Sequence, residues 1–157
     1  MKPKVHTFKN GLRVLCIPQP QAPTATALIL VGTGSKYETK VESGLSHFLE
    51  HMCFKGTDRF PSAKAITETF ESLGAISNAF TTHEYTGYYA KGSPKHISTF
   101  IEVLSDIYLH STFPDVEIQK EKGVVIEEIN MYEDMPQQKV GLALLDLMYG
   151  DQPAGWP

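Results

Sequence analysis

Residues 47–51 read His47-Phe48-Leu49-Glu50-His51, and this short stretch decides the interpretation of the chain. On a helix, at about 100° per residue, the two imidazoles and the carboxylate fall within an arc of about 100°. The opposite side of the same helix is apolar and carries Leu45, Phe48, Leu49 and Met52. The pattern predicts a helix from a cap at Ser43 to about Phe54, anchored to the core by one side, with its polar trio facing a cleft.

Two histidines four residues apart, with a glutamate between them, match the arrangement of a hydrolytic zinc site. Zinc binds imidazole nitrogen and carboxylate oxygen, and a catalytic site keeps one position open for water. Glu50 cannot serve both as a ligand and as a base. Its place beside His47 and His51 fits a residue that takes a proton from the water activated by zinc. The third ligand must therefore come from another part of the chain.

The acidic residues of a predicted later helix supply the candidates for that ligand. Glu121 and Glu128, seven residues apart, share a largely apolar face, whereas Glu127 lies on a more polar one. A carboxylate on an apolar face needs a partner, and a metal ion can be that partner. The pattern alone leaves both residues open, because glutamate on a long helix is usually surface charge and histidine in a helix is usually core or solvated. Cys53, at about 240° on the wheel, points away from the trio.

The remaining pattern predicts an α+β fold with an antiparallel or mixed sheet and helices packed on one face. Asn10-Gly11 favours a β-hairpin, and residues 24–32 are apolar enough to be a central strand. Ser62 and Gly74 bound a second helix, and Pro94 and Pro114 open two more. Paired strands are expected at 75–82 and 85–91, and a last helix at 137–149.

Composition narrows the classes of function. The 157 residues suit one domain, and a net charge of −4 argues against a nucleic-acid partner. No apolar run reaches the roughly 18 residues needed to span a bilayer, so no membrane association is expected. Cys16 and Cys53 do not make a disulfide framework, which favours a reducing, cytoplasmic location.

Four stretches of the chain resemble the inverted-zincin peptidases, the family of pitrilysin, insulin-degrading enzyme and the mitochondrial processing peptidase β subunit. The most specific one is Gly44-Leu45-Ser46-His47-Phe48-Leu49-Glu50-His51-Met52-Cys53-Phe54-Lys55-Gly56-Thr57. The others are Asn10-Gly11-Leu12-Arg13-Val14, Asn78-Ala79-Phe80-Thr81, and Glu121-Lys122-Gly123-Val124-Val125-Ile126-Glu127-Glu128-Ile129. The resemblance extends through nearly the whole chain.

The resemblance implies a role for each site residue. His47, His51 and Glu128 correspond to the ligands of one zinc ion, and the 76 residues between His51 and Glu128 match the family spacing. Glu50 corresponds to the general base. Glu121 corresponds to an acid that supports catalysis by orienting a ligand. Asn78, Ala79 and Phe80 correspond to the strand along which the peptide substrate is laid.

The resemblance also implies how the chain is used. Residues 1–157 are expected to be the single N-terminal metallopeptidase domain of a longer, multi-domain zinc endopeptidase. The C-terminal half, on the same or a partner chain, would complete the substrate chamber, and a homodimer is left open. One alternative is a non-catalytic or incomplete subunit, a scaffold that needs a partner half. Another is an enzyme like S-ribosylhomocysteine lyase, which shares the His-x-x-Glu-His metal site but adds a cysteine ligand.

Overall fold

The computed structural model describes residues 2–156, so the predicted domain, 1–157, extends one residue beyond them at each end. Its strands are β1 (Lys4–Thr7), β2 (Arg13–Cys16), β3 (Ala25–Val31), β4 (Ile76–Thr81) and β5 (Thr86–Gly92). Its α-helices are α1 (Leu45–Cys53), α2 (Ala63–Ser72), α3 (Ile97–Leu109), α4 (Asp115–Glu133) and α5 (Pro136–Tyr149). None of the helices described there is both long and apolar enough to cross a bilayer.

The strands form two antiparallel sheets within residues 2–156. This arrangement confirms the predicted α+β class, and of the two predicted alternatives, an antiparallel or a mixed sheet, the sheets are antiparallel. β1 and β2 pair across the Asn10-Gly11 turn, where Gly11 has a φ of 89°. β3, β5 and β4 form the second sheet in that order, with β5 in the centre. The prediction of a central β3 is wrong for the described residues. Its apolar run alternates between a buried Ala27 and half-exposed Leu28 and Leu30, as in a strand covered on one face.

The core lies between one face of the three-stranded sheet and the helices α1, α2 and α3. Helical side chains and β5 contribute its fully buried centre, with Phe70 and Phe100 as its largest members. Ala79 on β4 and Tyr88 and Ala90 on β5 face these helices. Because side chains alternate along a strand, Thr81 points to the same face as Ala79. The sheet thus presents Thr81 to α1.

The start of α1 differs from the prediction. Ser43 is not its cap, because Gly44, with a φ of 89°, occupies that position and Ser43 ends a single-turn 3-10 helix, Lys40–Glu42. The Glu38 carboxylate instead accepts hydrogen bonds from the Gly44 and Ser46 backbone N–H groups, at 2.7 and 2.6 Å. An acid at a helix N-terminus satisfies unpaired donors and complements the helix dipole. A side chain from the preceding loop, six residues before Gly44, therefore caps the first turn of α1.

Pro94 opens a single-turn 3-10 helix, Pro94–His96, and α3 begins only after it, at Ile97. The boundaries of the remaining helices agree with the sequence. The Ser62 side chain accepts a hydrogen bond from the Ala65 backbone and caps α2, and Gly74 follows its end with a φ of 61°. Pro114 immediately precedes α4, and Pro136 is the first residue of α5, one residue earlier than predicted. Along α4 the only buried residue described is Glu121, where the helix packs on α1.

Candidate metal centre

The first turns of α1 bring two imidazole rings together. The Nε2 atoms of His47 and His51 lie 3.1 Å apart, and their rings are nearly perpendicular at 89°. Their side chains are 34% and 19% exposed, so the pair is partly shielded but reachable from solvent. The four-residue spacing on a helix produces this geometry directly.

Glu128 reaches the same point from α4. Its Oε2 lies 3.4 Å from Nε2 of His51 and 3.7 Å from Nε2 of His47. Among the described residues these three form the one group of histidine, cysteine, aspartate or glutamate side chains close enough to share a metal ion. The sequence had left Glu121 and Glu128 open on its own pattern, and the structure brings Glu128 to the two nitrogens.

The donor atoms fit zinc. Tetrahedral ligands at about 2.0–2.1 Å from a zinc ion lie about 3.3–3.4 Å from one another. The three separations here, 3.1, 3.4 and 3.7 Å, bracket that value. Two imidazole nitrogens and one carboxylate oxygen are also the donor set of many catalytic zinc sites. The residues therefore suit zinc in both geometry and chemistry.

Glu121 lies behind His51 rather than at the convergence point. Its Oε1 is 2.8 Å from Nδ1 of His51, and its Oε2 is 2.6 Å from Nζ of Lys55. Burial by itself raises the pKa of the Glu121 carboxyl, but the hydrogen bonds from Lys55 and His51 outweigh it, and the net pKa is below its ordinary value. A charged Glu121 favours the proton on Nδ1, which leaves the lone pair of Nε2 directed at the convergence point.

Glu50 is not a member of the group formed by His47, His51 and Glu128. Its Oε2 accepts a hydrogen bond from the Thr81 hydroxyl at 2.6 Å. Cys53, which the helical wheel predicted to point away from the two histidines, is buried. Its Sγ lies 3.5 Å from the phenol oxygen of Tyr88.

Comparison with known proteins decides the family. A family model described as "Insulinase (Peptidase family M16)" matches residues 13–157, which is most of the chain. The chain belongs to the insulinase family. This finding confirms the predicted resemblance to the pitrilysin-like metallopeptidases.

Individual relatives of this insulinase-family chain carry protease names. It is 45% identical to the "Uncharacterized zinc protease YmxG" of Bacillus subtilis (strain 168), over 98% of this chain and 37% of the relative. It is 38% identical to the "Probable mitochondrial-processing peptidase subunit beta, mitochondrial" of Arabidopsis thaliana, over 87% of this chain and 26% of the relative. The crystal structure of a protease from Helicobacter pylori superposes with a TM-score of 0.92 at 26% identity, over 99% of this chain and 38% of that one. The chain thus spans well under half the length of each.

The strand that the sequence assigned to substrate is an edge strand in this insulinase-family fold. β4 pairs only with β5 within residues 2–156. The Ala79 N–H donates to the Asn78 side-chain oxygen at 2.9 Å, so it is directed away from β5. A residue in an antiparallel ladder directs its N–H and C=O to the same side. Ala79 therefore offers both groups at the free edge, while Phe80 lies over Gly87.

Sequence reasoning missed three residues around the insulinase-family site. It quoted Lys55 and Thr81 within motifs but gave neither a role. It gave Tyr132 no role either. Burial, followed by a hydrogen bond to Glu128 and the charges of Glu128 and Glu50, raises the pKa of the Tyr132 phenol. The four-residue spacing to Glu128 was the available signal for Tyr132; Lys55 and Thr81 gave no local signal for their partners.

Proposed function

We propose that this insulinase-family chain is the catalytic domain of a zinc endopeptidase that hydrolyses extended peptides or small unfolded polypeptides. The observation that carries the proposal is the convergence of His47, His51 and Glu128, with Glu50 close by but tied to another group. Residues 1–157 would be its single N-terminal metallopeptidase domain, with one zinc ion.

In the proposed site, His47 and His51 hold zinc from α1 and Glu128 holds it from α4. Zinc, when bound, polarises the scissile carbonyl and lowers the pKa of water. Glu121 orients the His51 ring through Nδ1, and Lys55 keeps Glu121 ionised. The side chains of His47, His51 and Glu128 are partly exposed, which supports access for a peptide.

Glu50 moves the proton in this proposal. Its carboxylate takes a proton from the attacking water and then donates it to the nitrogen of the leaving amine. The reaction balances as hydrolysis, because one water is consumed and one carboxylate and one protonated amine are released. Glu50 returns to its starting charge after each cycle. Its place one residue before His51 keeps it adjacent to the site throughout.

The free edge of β4 is the proposed docking site for the peptide backbone. An extended peptide that adds to an edge strand gains main-chain hydrogen bonds and makes few demands on side-chain identity. The Ala79 N–H, covered by the Asn78 side chain, would donate to a peptide carbonyl instead. Asn78, Ala79 and Phe80 are therefore the proposed substrate-binding residues.

Removal of zinc tests the proposed activity. In the full-length protein, dialysis against 1,10-phenanthroline should abolish cleavage of a quenched fluorescent peptide, and one equivalent of zinc should restore it. The non-chelating isomer 1,7-phenanthroline serves as the control. Cleavage that continues at the same rate in protein shown by elemental analysis to lack metal would reject a zinc peptidase.

Substitution of Ala79 tests the docking strand. Ala79→Pro removes the outward N–H, and an edge strand tolerates proline at such a position. We expect KM for the peptide to rise several-fold, up to about tenfold for one lost hydrogen bond. Zinc content and kcat should stay near those of the parent protein. Ala79→Gly, which keeps the N–H, is the matched control, and an unchanged KM in Ala79→Pro would exclude this edge.

A second candidate function is a non-catalytic or incomplete subunit that needs a partner half. The name of the Arabidopsis relative, which is a subunit, favours it. Assay of residues 1–157 with and without the remainder of the protein, in cis or as a separate chain, distinguishes the two. The lyase alternative has no support, because the chain belongs to a peptidase family and a carboxylate accompanies the two histidines.

A further inference from the structure

We propose that Thr81 is a positioning residue for Glu50, a role that rests on the proposed function. Its hydroxyl holds one carboxylate oxygen of the base and leaves the other to take the proton. The observation is the hydrogen bond from Thr81 Oγ1 to Glu50 Oε2 at 2.6 Å, between the end of β4 and the middle of α1.

The direction of this hydrogen bond is fixed by the neighbouring threonine. Thr86, the register partner of Thr81 on β5, is 2% exposed and donates its hydroxyl proton to the Thr33 carbonyl at 3.1 Å. The two hydroxyl oxygens are 3.4 Å apart, so Thr86 competes weakly for the Thr81 proton. A carboxylate at 2.6 Å is the stronger acceptor, because hydrogen bonds to ionised groups are shorter and stronger. The single proton of Thr81 is therefore committed to Glu50.

Threonine at position 81 is also held rigidly. Its branched side chain has few rotamers on a strand, and the residue is half-buried against α1. The hydroxyl is thus a fixed point that limits where the Glu50 carboxylate can rest. Oε2 is engaged at this point, and Glu50 is not a member of the group of His47, His51 and Glu128.

The position of Thr81 links the base to the docking strand. Thr81 is the last residue of β4, two residues beyond Ala79, whose N–H faces the free edge. The same strand therefore carries the peptide contact and the group that aims the base. The two contributions separate kinetically, since Ala79 acts on peptide binding and Thr81 on the chemical step.

Three variants of the full-length protein test this role. Thr81→Val keeps the branched shape and removes the hydroxyl, so kcat should fall roughly 10- to 100-fold, as expected for a lost hydrogen bond to a charged group. KM and zinc content should change less than about twofold, within the scatter of neutral substitutions. Thr81→Ser keeps the hydroxyl and should retain most of the kcat. Thr26→Val removes an exposed strand hydroxyl elsewhere and should have no effect.

A double-substitution cycle separates positioning from general damage. In a Glu50→Gln background, Thr81→Val should cause no further loss of kcat, because the proton acceptor is already gone. A crystal structure of Thr81→Val should show the Glu50 carboxylate displaced or in several rotamers, which is a readout independent of turnover.

The outcomes are separable. Parent protein that cleaves no peptide, or cleaves without zinc, rejects the proposed function and the role of Thr81 with it. Active parent protein rejects only the role of Thr81 if Thr81→Val keeps its kcat, if Thr81→Ser is equally impaired, or if the loss is the same in the Glu50→Gln background. An unmoved Glu50 carboxylate in the Thr81→Val crystal also rejects it.

Discussion

Replacement of Glu50 by glutamine should slow peptide hydrolysis by orders of magnitude while the protein keeps its zinc. Glutamine has the same size and can still accept the hydrogen bond from Thr81, but it cannot take up a proton. General acid–base catalysis typically contributes 10²- to 10⁴-fold, so kcat should fall by about that factor. Zinc content should be unchanged, because Glu50 does not belong to the group of His47, His51 and Glu128. Steady-state kinetics and elemental analysis of the full-length protein measure both quantities.

A control and two contrary results define this test. Glu68→Gln removes an exposed carboxylate from α2 and should leave kcat and zinc unchanged. Turnover of Glu50→Gln equal to that of the parent protein would show that another group moves the proton. Loss of zinc from Glu50→Gln would instead make Glu50 a ligand and contradict the assigned set.

Loss of any one of the three convergent side chains should remove the metal. His47→Ala, His51→Ala and Glu128→Ala each delete a donor atom from a group whose members lie within 4.8 Å of one another. Substitution of an outer partner of a metal ligand typically costs 10- to 100-fold in affinity, so loss of a direct ligand should cost more than about 100-fold. The zinc content of purified protein should fall from one per chain to near zero, and activity should fall with it.

Glu127 provides the matched control for Glu128. It is the preceding residue on α4, it is exposed, and it belongs to no group able to hold a metal among the described residues. Glu127→Ala should therefore keep both zinc and activity. Full zinc content in Glu128→Ala would remove Glu128 from the ligand set, whatever its effect on turnover.

Local periodicity predicted those parts of the fold that depend on neighbours in sequence. The polar face of α1 and the exclusion of Cys53 follow from helical geometry. The predicted apolar side is buried only in part, because Met52 lies in the interior whereas Leu45 and Leu49 are 45% and 40% exposed. The Asn10-Gly11 turn and the Ser62 cap follow from local backbone chemistry and agree with the structure. These signals need no knowledge of distant contacts.

Tertiary contacts set the features that the sequence could not predict. Glu38 caps α1 in place of Ser43 because a loop folds back onto the helix start. β3 is apolar yet lies at an edge of the described sheet, since apolar content does not specify strand order. Thr81 meets Glu50 across 31 residues of sequence, a pairing that no local pattern encodes.

The choice between Glu121 and Glu128 illustrates the same limit. Seven residues apart on α4, they share one face, so periodicity alone could not assign one to the metal and the other to the His51 ring. Packing of α4 on α1 separates them, with Glu121 against Nδ1 of His51 and Glu128 beside both Nε2 atoms. Resemblance to the peptidase family supplied the assignment that the pattern lacked.

Anomalous diffraction at the zinc absorption edge, from crystals of the full-length protein, tests the proposed metal centre most directly. We expect one anomalous peak per chain, about 2.0–2.2 Å from Nε2 of His47, Nε2 of His51 and a carboxylate oxygen of Glu128. A fully zinc-loaded protein whose peak lies elsewhere, or in which Glu128 makes no contact with the ion, would contradict the account.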